Sequence, residues 1–162
     1  MKILGVDPGT ARMGVSILEV NKKGTPKVLR SDVFITAADM EMHKRLKLLY
    51  KKLHEILNEF TPDIMVVEKL FFNTNVKTAM TVGQARGVAM LAAADWDLLV
   101  YEYTALEAKR ALTGYGRASK KEMQDAVKDY LRLDAIVKSD DANDAIAIAL
   151  CFLKKDFINL KH

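Results

Sequence analysis

Residues 2–20, KILGVDPGTARMGVSILEV, decide the fold. Lys2 to Val6 is a short apolar run of the kind that forms a buried strand. Asp7-Pro8-Gly9-Thr10 breaks it with a turn or bend signal. Gly14 to Val20 reads as a second strand. Asn21-Lys22-Lys23-Gly24 is a hairpin-type turn, and Lys27 to Ile35 alternates well enough for a third strand. Three strands joined by short turns predict an antiparallel meander.

Beyond residue 35 the period changes. Leu46, Leu49, Tyr50, Leu53, Ile56, Leu57 and Phe60 recur at steps of three and four, which predicts an amphipathic helix over residues 40–60. Thr61-Pro62-Asp63 ends it. Ile64 to Val67 is then a buried strand, residues 76–94 a long helix, and Leu98 to Tyr103 another strand. Thr104 is placed to cap a short helix to Leu112. A loop over Thr113 to Ser119 follows, with Ser119 capping a helix to about Leu131. Ser139 or Asp140 starts a last helix to about Lys154. The expected class is α/β: one domain over residues 1–162 with a five-stranded mixed sheet and helices on both faces. Strands one, four and five are expected to be parallel and central.

Composition narrows the function. The chain has 162 residues, 50% of them hydrophobic and 28% charged, with a net charge of +4. No apolar run approaches the ~20 residues that span a bilayer, and the N-terminal stretch does not read as a signal peptide. A lone cysteine, Cys151, rules out an internal disulfide and points to a reduced compartment, the cytoplasm. Residues 105–121 carry Lys109, Arg110, Arg117, Lys120 and Lys121 against Glu107, a basic stretch suited to a polyanion.

Two strands meet an acid where their apolar run ends, at Asp7 and Glu68. The last helix opens with Asp141 and Asp144, whose spacing of three puts them on one face. In sheets of this kind ligands gather at the carboxyl ends of strands. Converging carboxylates repel one another and need a cation or a shared proton. Oxygen ligands with no histidine or cysteine suit Mg²⁺ or Mn²⁺, and such a site typically holds two ions for phosphoryl transfer. Taken singly, Asp7 also reads as a turn former, Glu68 as a strand end and Asp141 as a helix-start acid. Asp144 is expected to be a buried charge within the apolar run 142–150.

The stretches GVDPGTARMGVSI, VVEKLFFNTNVKTAMTVGQARG and SDDANDAIAIAL, in this order over nearly the whole chain, resemble RuvC-type Holliday junction resolvases. The resemblance implies an RNase H-like nuclease domain and a homodimer. It implies Mg²⁺-dependent cutting of two like strands of four-way junction DNA by two-metal-ion hydrolysis. The products would be ligatable 5′-phosphate and 3′-hydroxyl ends, made during homologous recombination and DNA repair. Its acids fall on Asp7, Glu68, Asp141 and Asp144, although some members carry histidine at the position of Asp141.

The resemblance also implies an aromatic against the junction at Phe71, with Phe72 beside it, and DNA contacts at Lys109 and Lys120, to which Arg117 and Lys121 are natural additions. The long second helix, with Met80, Gly83, Gly87 and Val88, is implied as the dimer interface. A branch-migration complex of RuvA/RuvB type is the implied partner. Two other classes stay open: a related RNase H-like nuclease acting on RNA, and a non-catalytic junction-binding protein. An actin-like ATPase needs two such domains, for which 162 residues are too few.

Overall fold

The computed structural model describes residues 1–69 and 75–157. In chain order it forms β1 (Lys2–Asp7), β2 (Arg12–Val20), β3 (Pro26–Ile35), α1 (Met42–Phe60), β4 (Ile64–Glu68), α2 (Val76–Asp95), β5 (Leu99–Tyr103), α3 (Ala105–Thr113), α4 (Lys120–Leu131) and α5 (Asp140–Lys155). The strands join one sheet in the order β3-β2-β1-β4-β5. β1 pairs antiparallel with β2 and parallel with β4, and β4 pairs parallel with β5. The expected meander is therefore present. One expectation is corrected: β5 is parallel but lies at the edge, not the centre. Its pattern shows why, because Leu99 faces solvent at 62% exposure while β1 and β4 are buried on both faces.

Each inner strand alternates between two cores. Leu4, Val6, Val15, Ile17, Met65 and Val67 pack on α1 and α2. Ile3, Leu18, Ile64 and Val66 face α5 and the helices before it. Period two therefore carries Asp7 to the face of Ile3 and Gly5, and Glu68 to the face of Ile64 and Val66. Both acids face α5. The α1–α2 side is secured by Leu49, Leu53, Leu57 and the buried alanines of α2.

Helix α5 lies unusually close to the sheet, and small residues permit this. A Cβ on Gly5 would stand 2.1 Å from the Ala145 carbonyl oxygen, and one on Gly14 would stand 1.9 Å from that of Asp141. Between them the Ser16 hydroxyl donates to the Ala145 carbonyl at 2.9 Å. The following helices begin as the sequence predicts. Thr104 and Ser119 form capping boxes with Glu107 and Glu122, each cap contributing about 1 kcal/mol. Ser139 caps α5 by accepting from the Ala142 amide. Among the described residues no helix is long and apolar enough to cross a membrane.

Gly14→Ala forces its methyl into the α5 backbone, and a backbone cannot rotate away as a side chain can. We expect a loss of about 3 kcal/mol, the upper end for overpacking, read as a lower midpoint in urea unfolding. An unchanged midpoint would show that α5 rides freely on the sheet.

Candidate active site

Asp7 ends β1 and Glu68 ends β4, and the last paired rung before them is Val6 with Val67. Both side chains are half-buried and lie within proton-sharing reach of each other. Asp141 and Asp144 come from the first turns of α5, brought in by the close approach at Gly14. Asp141 accepts from the Arg12 guanidinium at 2.7 Å. Asp140, just before it, accepts from the Lys120 ammonium at 2.6 Å. The structure thus brings together all four sequence-predicted acids.

The electrostatics follow from that crowding. Burial, then the negative charges of Glu68, Asp144 and Asp141, push the Asp7 carboxyl well above the ordinary carboxylate range. Burial and then Asp144 raise Glu68, while hydrogen bonding with Asp7 and then the charge of Lys109 pull it back. Crowding like charges in this way favours protonation of the pair more than of isolated carboxyls. Asp144 is raised to about 6 by desolvation and then by Asp140 and Asp141, with Lys120 and Lys109 opposing. One expectation is corrected here. Asp144 is an exposed side chain on the open side of α5, not a charge sealed in the apolar run.

The donor set fits a hard divalent cation. It is all oxygen and carries excess negative charge, and burial with mutual repulsion raises its proton affinities. Among the described residues no three acidic, histidine or cysteine side chains close on one point as a ready-made shell. A hard cation held by these acids would take its remaining ligands from water or other oxygens.

Lys109 of α3 and Lys120 at the start of α4 line a cleft with Glu68 and Asp144, so both predicted lysines stand beside the acids. Arg117 and Lys121 are exposed and do not line it. Phe71 and Phe72 lie outside the described residues. On α2, Ala85, Ala89, Ala92 and Ala93 are buried against the chain's own core. Met80 is 65% exposed, and a Cβ on Gly87 would meet nothing within 4 Å. Gly83 and Val88 are half-buried. With Val76 and Leu91, also exposed, Met80 and Gly87 form an outward stripe at steps of four and seven.

Sequence reasoning missed Arg12, Asp140 and Asn143. Arg12 had a readable signal. Alternation along β2 puts it on the face of Gly14 and Ser16, whose small side chains admit α5. Asn143 is only 2% exposed and lines the same cleft.

Three comparisons bear on this arrangement. The family described as "Crossover junction endodeoxyribonuclease RuvC" matches residues 3–152. A protein of that name from Finegoldia magna is 46% identical over 153 residues, covering 94% of this chain and 93% of its own length. One from Halothermothrix orenii is 48% identical over 152 residues, covering 93% and 91%. The solved structure of T. thermophilus RuvC in complex with Holliday junction substrate superposes with a TM-score of 0.91 at 29% identity, covering 98% of this chain and 96% of that one.

The raised acids make a stability prediction. A carboxyl with a higher pKa folded than unfolded binds its proton more tightly in the folded state. Its contribution is present at low pH and lost as pH rises through the folded value. Metal-free protein should therefore melt lower as pH rises from about 4 through 6, the window of Asp144, and onward as the Asp7–Glu68 pair ionises. Adding Mg²⁺ should raise the melting temperature more at pH 8 than at pH 5, because cation and proton compete. Scanning calorimetry across this range checks both signs. A metal effect independent of pH would contradict them.

Proposed function

The chain belongs to the RuvC family of crossover junction endodeoxyribonucleases, and from that premise we propose that Asp7, Glu68, Asp141 and Asp144 are the groups with which it cuts. It is an RNase H-like endodeoxyribonuclease that resolves Holliday junctions and depends on divalent metal. The observation that carries the site assignment is the convergence of four carboxylates from β1, β4 and α5 at the sheet's carboxyl edge. Two Mg²⁺ ions, when bound, would supply the Lewis acidity that activates a water and stabilises the departing 3′ oxygen.

The chain's own groups prepare for this. Asp7 and Glu68, whose proton affinities are raised, hold cations in their ionised form. Arg12 neutralises Asp141 in the DNA-free protein, offsetting part of the repulsion on that side. Lys109 and Lys120 offer point charges to the phosphate beside the acids. Arg117 and Lys121 extend the basic surface along the α3–α4 segment, where they add salt-sensitive backbone contacts. Phe71 stacks on a base at the crossover, which needs no sequence match. One domain, residues 1–162, carries all of these groups.

Paired cuts need two such sites. The outward stripe of Val76, Met80, Gly87 and Leu91 suits a second copy of the chain, since exposed apolar groups gain by burial and Gly87 permits close approach. Gly83 and Val88 flank this face. A branch-migration complex of RuvA/RuvB type is the further partner in this reading, acting with the dimer on junctions in the cytoplasm.

The test is strand cleavage of fixed and mobile four-way junctions against matched linear duplex, with and without Mg²⁺. Paired symmetric nicks confined to junctions are expected, with metal only. Asp7→Asn should bind junctions at least as well, having lost a charge near phosphate, and cut roughly a hundredfold more slowly or worse. Tight binding with no cut in Mg²⁺ or Mn²⁺ would make the chain a junction-binding protein. Equal cutting of RNA would make it an RNA-processing nuclease.

A further inference from the structure

One chain of hydrogen bonds reaches the site from the side of the sheet opposite α5. Thr36, the residue after β3, is 5% exposed, and its hydroxyl donates to the Thr10 carbonyl at 2.6 Å. Its amide donates to the Ala11 carbonyl at 3.1 Å. Thr10 and Ala11 belong to the short loop that joins Asp7 to Arg12. The same Thr36 hydroxyl accepts from Arg45 Nε of α1 at 2.7 Å. A bond from a guanidinium is charge-assisted, and it polarises the hydroxyl toward the carbonyl that it serves. Arg45 therefore strengthens the hold on a loop with Asp7 at one end and Arg12 at the other.

Arg45 itself lacks a counter-charge. Arg12, Arg30 and Arg86 each meet a carboxylate, whereas among the described residues Arg45 is in no ion pair. The residue is half-buried, and its Nε is committed to Thr36, which leaves the two Nη groups for a second acceptor. Residues 42–52 carry Lys44, Arg45, Lys47, Lys51 and Lys52 and no acid, and nearby Glu41 is already paired with Lys44 at 2.5 Å. The position of α1 says which anion can arrive. Ile35, next to Thr36, pairs with Arg12 across β3 and β2, so α1 starts at the sheet end that holds the acids. Adjacent strands lie ~4.8 Å apart, so the end of β3 stands about 10 Å from that of β1, two strands away. Duplex DNA carries one phosphate charge per ~1.7 Å of its axis, so an arm laid across this end offers phosphates to both places. A planar fork of N–H groups matches phosphate oxygens. Taking the chain as the junction nuclease argued above, we propose that Arg45 binds a backbone phosphate of the arm leading to the cut. Through Thr36 it is also a positioning residue for the loop between Asp7 and Arg12.

The experiment measures junction binding in EDTA over a range of salt, and the cutting rate at saturating junction with Mg²⁺. Arg45→Gln should bind about three- to tenfold more weakly, with the slope of log affinity against log salt reduced by about 1. It should also cut more slowly once bound. Thr36→Val keeps the shape of the side chain and loses the hydroxyl. It should bind with the parent's affinity and salt slope, yet cut about tenfold more slowly at saturation, the effect of a slightly misplaced site. Thr36→Ser, which returns the hydroxyl, should recover the rate. A parental salt slope in Arg45→Gln would overturn the inference. So would a parental rate in Thr36→Val with only its melting temperature lowered, or a Thr36→Ser protein as slow as Thr36→Val, either of which makes Thr36 a packing residue. If the unsubstituted protein cuts no junction at all, the nuclease reading itself falls, and the inference with it.

Discussion

The structure depends on one contact: the backbone of α5 pressed directly onto β1 and β2. Gly5 and Gly14 leave no side chain in the way, and Ser16 ties the Ala145 carbonyl to the sheet. Because α5 lies this close, Asp141 and Asp144 arrive at the strand ends that carry Asp7 and Glu68. A helix held off the sheet by intervening side chains would leave the two pairs of acids apart. Packing and function therefore rest on the same glycines.

That arrangement works against itself electrostatically. Four carboxylates at one sheet edge repel, and in the DNA-free protein three devices offset the repulsion. Asp7 and Glu68 bind protons more tightly than isolated carboxyls, Arg12 engages Asp141, and Lys120 engages Asp140. Each is a stand-in for positive charge that metal and substrate contacts would bring. The exposed ion pairs add little to stability, about 0–1 kcal/mol each. Their importance is that the acids stay gathered before the cations arrive.

Much of this was legible in the residues. Short turns between Lys2 and Ile35 announced the meander, and the three-four period over residues 40–60 announced α1. Thr104 and Ser119 were readable as caps because their hydroxyls stand three residues before Glu107 and Glu122. The four acids could be gathered because strand ends and helix starts are fixed by local pattern. What was not legible depends on three-dimensional neighbours. Apolar residues in β5 do not say which strands flank it, so its edge position was missed. Asp144 sits in an apolar run, yet helical rotation turns it into the open cleft beside Glu68 while Ala142, Asn143 and Ala145 are buried. Arg12 and Asp141 are 129 residues apart, and only the approach of α5 to β2 pairs them.

The central claim is that Asp7, Glu68, Asp141 and Asp144 form one cation-binding centre. It is tested most directly by Mn²⁺ anomalous scattering from crystals of the protein grown with an uncleaved four-way junction. The account predicts anomalous peaks between the ends of β1 and β4 and the first turn of α5, within coordinating distance of these carboxylates and of a junction phosphate. Peaks located elsewhere, with Arg12 still on Asp141, would contradict it.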